Sequence, residues 1–587
     1  MDVYKRFKDR IKLTKPNTAS RLPFEANIEA YKQWEAELPI MDTQACISLL
    51  TAAIQALQST DIAAHKKLVL IEEAQDCLYA LLTSCKDKLK GANLPLQRQH
   101  AELSGQLLVG LDNFTNIYLQ IICSDNFSNN NALQHDAAED KGEQTLAFPN
   151  ALKSLVIFRA IELLSAKQLL MSLIYQSPLG DFWNTVNALY ELSEDLQLQK
   201  EQQLSFSKQL SFSIETEFKR IHFFNLAGVN RFRRGDIARI NVILALHGDT
   251  ISINTSKQES CIFKVDLASC SAVSYWEKQS PGISSERFFN TEKLIAFMLS
   301  KQAMVHEQHG AVSLLSDQPK LIKKVIQQLI PSWSTSQSRQ SPRHAQTEEV
   351  KIYPGFESIF KALVLAHNPD LYTKKDIKSK TKPAFNLADI SLVPVDNSQH
   401  HHHLMRNDNV INNILKKTSE DINSPKSIWA KKRNQPLGRK GEQMNAKIHD
   451  ASLQGLHFMV TIDNKPLLKV TDLIGIQTKN EMLQLAIIRR LNKLQDGNIS
   501  VGVEMMSPNL KIASIKSSQK NTDAKPVIFL QGIPSINQAD AIISPALIDE
   551  KDIRIMLKVN NKTSEFSLGH TLETNRVFNH YTVLKKN

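Results

Sequence analysis

The chain's 587 residues are too many for one core, and its 42% apolar and 7% aromatic content is enough to bury several. A net charge of +11, from 71 Lys and Arg against 60 Asp and Glu, admits a nucleotide, nucleic acid or acidic surface as partner, although so modest an excess more often means a solvated basic surface. A membrane span, a secretory signal and a disulfide scaffold are not expected: no apolar run approaches the ~20 residues of a span, residues 1–10 are charged, and the six cysteines form no CxxC pair.

Helical periodicity runs from about residue 43 to 247. Asp42-Thr43 offers a cap ahead of Leu49, Leu50, Ala53, Ile54 and Leu57 at helix spacing. The next stripe is Leu68, Ile71, Leu78, Leu82 and Leu89, and further helices fit 97–122, 148–176, 181–198 and 207–226. Pro178-Leu179-Gly180 breaks one pair, and Gly228 with Arg231-Phe232-Arg233-Arg234-Gly235 breaks another, after which Asp236 can cap a helix. The basic run at 231–234 could meet nucleic acid, but a charged helix connection is the commoner case. The cysteines lie mostly in apolar helical stretches and read as buried reduced thiols, so the expected compartment is the cytoplasm.

Alternation at 250–253 and 261–267, followed by helical patterns near 291–305 and 318–330, predicts a small α+β module. Residues 332–348 are polar and read as linker, and a short apolar patch (350–366) precedes a Lys-, Asn-, Asp- and Ser-rich stretch to 427. Within it, His400, His401, His402 and His403 invite a metal reading. Adjacent imidazoles with no fixing partners make low-complexity drift the better account, and no metal site is expected. From about 428 the period becomes two, with strands at 444–450, 455–461, 472–477, 483–491, 498–505, 526–531, 552–558 and 564–570. Such spacing suggests a closed or nearly closed barrel.

Between two of these strands lies Asp450-Ala451-Ser452-Leu453-Gln454-Gly455. Asp and Ser cap the free N–H groups of a tight turn, and Gly supplies a φ > 0 position. This string resembles the DxSxxG signature of PilZ domains, bacterial β-barrels that bind cyclic di-GMP. Ala486-Ile487-Ile488-Arg489-Arg490-Leu491, followed by Ser500-Val501-Gly502-Val503-Glu504, is similar to the closing strands of those barrels. Arg489 and Arg490 alternate, so only one of them can face a pocket. Trp34-Glu35-Ala36-Glu37-Leu38-Pro39, Pro178-Leu179-Gly180-Asp181-Phe182-Trp183 and Leu572-Glu573-Thr574 resemble segments of one group of long PilZ-domain proteins with a helical N-terminal region.

The expected fold is therefore multidomain α+β. It has an α-helical bundle or array over 1–247, a small α+β module over 248–332 and a mostly flexible linker with a short helical patch over 333–427. A PilZ-like antiparallel β-barrel over 428–515 and a β-rich extension over 516–587 follow. The resemblance implies cyclic di-GMP as ligand, no cofactor, and an RxxxR pair ahead of the first strand whose guanidinium forks suit phosphate and guanine. The arginines nearest Asp450 are Arg433 and Arg439, six positions apart rather than four. On a flexible arm they take the phosphates in this reading, while Asp450 and Ser452, with Gly455 completing the turn, hold a guanine.

The implied function is a bacterial regulator that acts through an unidentified protein partner. A ligand-free PilZ-like scaffold is the alternative. In that case 450–455 is a plain turn and Arg433 and Arg439 belong to a solvated linker. Nucleic-acid binding is a weaker third reading. No GxSxG elbow, Walker loop, HExxH or CxxC is present, and no enzyme is expected.

Overall fold

The computed structural model describes residues 3–13, 21–128, 148–276, 283–307, 311–312, 321–335, 342–367, 443–452, 455–461, 468–478, 483–507, 509–517, 525–532, 538–545, 554–559, 562–574 and 577–585. They fall into two units, one of residues 1–352 with 445–508 and one of residues 353–444 with 509–587.

The first unit begins as helices. Asp42 accepts from the Gln44 and Ala45 N–H groups and starts the helix Thr43–Ser59. Ala64–Glu73, Gln75–Leu89, Arg98–Ile122, Asn150–Leu173, Gly180–Asp195, Ile214–Leu226 and Arg234–His247 follow. Asn150–Leu173 is buried nearly all round, including Lys153, Arg159 and Glu162, as suits the central member of a helical array. Ile214–Leu226 starts later than its periodicity predicts. Ser213 caps it, accepting from the Thr216 N–H at 3.0 Å, and the residues before it pair as a hairpin, Gln202–Leu204 with Ser211–Ser213. Arg234–His247 starts two residues before Asp236, which lies in its first turn beside the N-terminal dipole and bonds Arg239 at 2.8 Å rather than capping. A four-stranded sheet (252–254, 286–290, 263–266, 274–275, in that order) comes next, with helices Glu292–Glu307 and Lys323–Ser334. The fully buried Trp333 of the last helix donates its indole N–H to the Phe223 carbonyl at 3.1 Å and so fastens this module to the helices.

Seven strands complete the first unit: β1 (His344–Ala345), β2 (Glu349–Pro354), β3 (Met444–Ala451), β4 (Gly455–Val460), β5 (Leu473–Gln477), β6 (Gln484–Lys493) and β7 (Ile499–Ser507). Their order is β2-β5-β6-β7-β4-β3-β1, and β2 also pairs with β3. That pairing closes six strands into a ring around Ile352, Ile448, Phe458, Leu485, Val501 and Val503. The opening strand is thus β2, in the segment that composition assigns to linker. Its alternation is confined to Val350 and Ile352, too short to stand out beside a polar stretch.

In the second unit β8 (Leu510–Ser517), β9 (Lys525–Leu530), β10 (Ala541–Ser544), β11 (Arg554–Val559), β12 (Lys562–Thr574) and β13 (Asn579–Lys585) form a closed barrel of their own, ordered β8-β9-β10-β13-β12-β11. Its core gathers Ile515, Val527, Phe529, Ile542, Leu557 and Phe566. The C-terminal extension is a second barrel, and its first strand begins at Leu510, inside the range the sequence assigns to the first.

Candidate functional site

The first ring carries one cross-strand row on its outer face. Along β3, Met444, Ala446 and Ile448 point inward and are buried, and so are Phe458 on β4 and Val501 and Val503 on β7. The residues between them face out. Asp450 of β3 stands opposite His457 of β4, His457 opposite Gly502 of β7, and Gly502 opposite Arg490 of β6. Directly opposed residues share a face, so these four lie in line across four adjacent strands, about 14 Å at the usual strand spacing. Each end of the row is marked by a bulge, at His449 between Ile448 and Asp450 and at Arg489 between Ile488 and Arg490. Bulges re-aim side chains and are common beside functional sites.

At the first end sits the turn. Ser452 donates both its N–H (2.8 Å) and its hydroxyl (3.2 Å) to the Gly455 carbonyl, which closes the hairpin. Gly455 does not take the left-handed backbone that its place in the turn predicts. A Cβ there would stand 2.7 Å from the Val503 carbonyl oxygen, so close strand approach is what requires glycine. Asp450 Oδ1 lies 3.0 Å from Arg343 Nη1, and its Oδ2 lies 3.0 Å from His457 Nδ1. His457 Nε2 is 2.7 Å from the Ser500 hydroxyl.

Arg343 is brought there because β1 pairs antiparallel with β3, Ala345 opposite Asp450 and His344 opposite Ala451. It is the second arginine of Arg339-Gln340-Ser341-Pro342-Arg343, an RxxxR string placed just before β2. Sequence reasoning missed this pair because it looked directly upstream of Asp450. The available signal was the four-residue spacing followed by the short alternation of Val350 and Ile352. Arg339, Arg433 and Arg439 lie outside the described residues.

Comparison with known families agrees with this geometry. Residues 29–258 match the model described as the N-terminal domain of the cyclic-di-GMP receptor FimW, and residues 263–511 match that of its middle PilZ domain. The chain belongs to this family of PilZ-domain proteins. The matched PilZ region takes in the α+β module apart from its first strand, together with β1, β2 and the whole first ring, and ends as the second barrel begins. No curated protein and no solved structure matches the chain. No described helix is long and apolar enough to cross a membrane.

The far end of the row meets the family's N-terminal domain. Arg489 turns to Glu504, its Nε 2.6 Å from Oε2. Arg490 instead lines a cavity of about 370 Å³ with Tyr175, Pro178, Asn225, Gly228 and Arg231. Burial, and then the charge of Arg490, lower the pKa of the Arg231 guanidinium. The basic run at 231–234 is buried or half-buried and is directed into the protein. Arg231 bonds the Ala227 carbonyl (3.0 Å) and the Ser332 hydroxyl (2.9 Å). Arg233 reaches into the ring, to Thr471 Oγ1 at 2.8 Å and the Val470 carbonyl at 3.2 Å. The neighbouring Asp472 carboxyl is pushed up to about 6 by burial, against the pull of Arg233. Arg234 bonds the Leu173 and Ala92 carbonyls and stacks on Tyr175, 5.0 Å from the ring centre. A main-chain bridge between Leu94 and Leu468, and a bond from the Lys493 N–H to the Tyr175 carbonyl at 2.7 Å, complete the joint between helices and ring.

Proposed function

We propose that this chain is a receptor for cyclic di-GMP that binds the nucleotide along the row Asp450, His457, Gly502 and Arg490, and acts through a protein partner in the cytoplasm. The observation that carries the reading is Arg343 of an RxxxR string held at Asp450 of the DxSxxG turn. The ligand offers two phosphates and two guanine edges, and guanidinium forks suit both. Arg339 and Arg343 take phosphate and guanine at the turn, and Asp450 and Ser452 hold the guanine edge. Gly502, with no side chain, leaves a flat floor on which a planar group can approach the backbone. Arg490 meets the other half of the ligand where the helices wall its cavity, so occupancy reaches the N-terminal domain through the pocket that contains Arg231. Arg433 and Arg439 are proposed as a secondary contact from the chain leading into β3.

Calorimetric titration of the full chain with cyclic di-GMP tests this. Saturation is expected, with Arg339→Ala and Arg343→Ala each weakening binding by about tenfold or more and Arg433→Ala and Arg439→Ala each by less than about threefold. The reverse ranking would return the phosphates to Arg433 and Arg439. A wild-type chain without saturable heat at ~100 µM ligand would end the receptor reading in favour of a ligand-free scaffold, since a micromolar site would be filled at that level.

A further inference from the structure

The bulge at His449 sets two consecutive side chains of β3, His449 and Asp450, against one residue of β4, His457. One ligand-type atom from each of the three lies within 4.8 Å of the others, and the two imidazole rings stand 5.7 Å apart. We propose that His449, Asp450 and His457 form a binding site for a divalent transition-metal cation of the zinc class.

Two imidazole nitrogens and one carboxylate suit Zn²⁺ and its neighbours, whereas Mg²⁺ and Ca²⁺ take shells of oxygen. The His457 ring is already aimed: Nδ1 faces Asp450 and Nε2 faces the Ser500 hydroxyl. With the ion on Nδ1, the Nε2 proton is donated to Ser500, the outer contact that commonly fixes a metal-bound histidine. Without the ion, the same hydroxyl donates to Nε2 while Nδ1–H bonds Asp450. A serine hydroxyl serves both tautomers because it both donates and accepts. His449 is exposed and can turn, which closes the remaining distance to the ~3.4 Å between ligand atoms of a tetrahedral site with bonds of about 2.1 Å. Three protein ligands leave the fourth position open to water. Asp450 now faces Arg343, so the cation and the guanidinium compete for one carboxylate.

The test uses the full chain in which His400, His401, His402 and His403 are replaced by serine, because that tract would capture metal by itself. Zinc chloride is titrated in competition with a chromophoric chelator. One equivalent is expected to bind, His449→Ala and His457→Ala are each expected to weaken it at least fivefold, and Arg343→Ala is expected to tighten it. The exposed His449 can be removed without disturbing the fold, so it decides the matter if the His457 variant does not fold. A change of less than fivefold in His449→Ala, or no bound equivalent, would overturn the site. An affinity that Arg343→Ala leaves unmoved would overturn the competition for Asp450.

Discussion

Arg234 is 4% exposed and gives its guanidinium to two main-chain carbonyls, those of Leu173 and Ala92, whereas Arg343 lies exposed beside the first ring and meets the carboxylate of Asp450. An arginine that spends two donors on carbonyls and has its remaining nitrogen buried holds chain segments together and is out of a ligand's reach. One that meets a single half-buried carboxylate keeps most of its fork available for phosphate or a purine edge. The strongest way to break this contrast is to remove the inward member. Arg234→Ala strands two carbonyls and leaves a void beside Tyr175, and should cost about 2–4 kcal/mol of stability, read as a lower urea midpoint of the helical circular-dichroism signal. A midpoint within about 0.5 kcal/mol of wild type would show that the docking arginines are as dispensable as surface charges.

Arg159 sharpens the contrast as a second inward arginine. It bonds Glu162 at 2.8 Å, and Glu162 also accepts from the Ser205 hydroxyl (2.6 Å) and the Phe206 N–H (2.9 Å). Burial still pushes the Glu162 carboxyl up to about 7, against the pull of Arg159. A carboxyl whose folded pKa is raised contributes stability that is fully present below its unfolded value near 4.5 and is lost as pH rises through about 7. Glu162→Gln removes that dependence. Between pH 4 and pH 8 the stability of the variant relative to wild type should therefore rise by roughly 3 kcal/mol, as urea midpoints at the two pH values would show. A difference independent of pH would mean that Arg159 pays the full desolvation of its partner.

Much of the architecture is legible in the sequence, because long apolar stripes at helix spacing and period-two runs bounded by Gly and Asn/Asp turns are local signals. The helices Thr43–Ser59 and Arg98–Ile122 and the strands β3 to β7 read directly. Three strands of the second barrel do not: β10 is a buried run of only four residues, and β8 and β13 mix their apolar positions with Lys and polar side chains. The turn at 450–455 is legible because its signature is contiguous. Its arginine partner is not, because the ring opens with β2 and residues 355–443 intervene before β3, so the RxxxR pair precedes a strand far upstream of Asp450. Pairing across such an insertion is a property of the closed sheet and leaves no mark on local spacing. The role of the 231–234 run is hidden for a similar reason, since its carbonyl partners Ala92, Leu173 and Val470 are scattered along the chain. The second barrel shows that ring closure alone does not make the site: it has six strands as well, but neither an RxxxR nor a DxSxxG string.

The smallest expected effect is the one that gives the contrast its meaning. The Arg343 and Asp450 side chains are 43% and 23% exposed, so their ion pair is screened and contributes no more than about 1 kcal/mol to stability. Arg343→Ala should therefore leave the urea midpoint within that margin while weakening cyclic di-GMP about tenfold or more. Those two results together assign the arginine to the ligand, because a lost contact lowers affinity without loosening the ring. A stability loss above about 2 kcal/mol would place Arg343 with Arg234 and Arg159 as a structural group. The fall in affinity would then report a disturbed barrel, and the outward arginine would have to be sought among Arg339, Arg433 and Arg439.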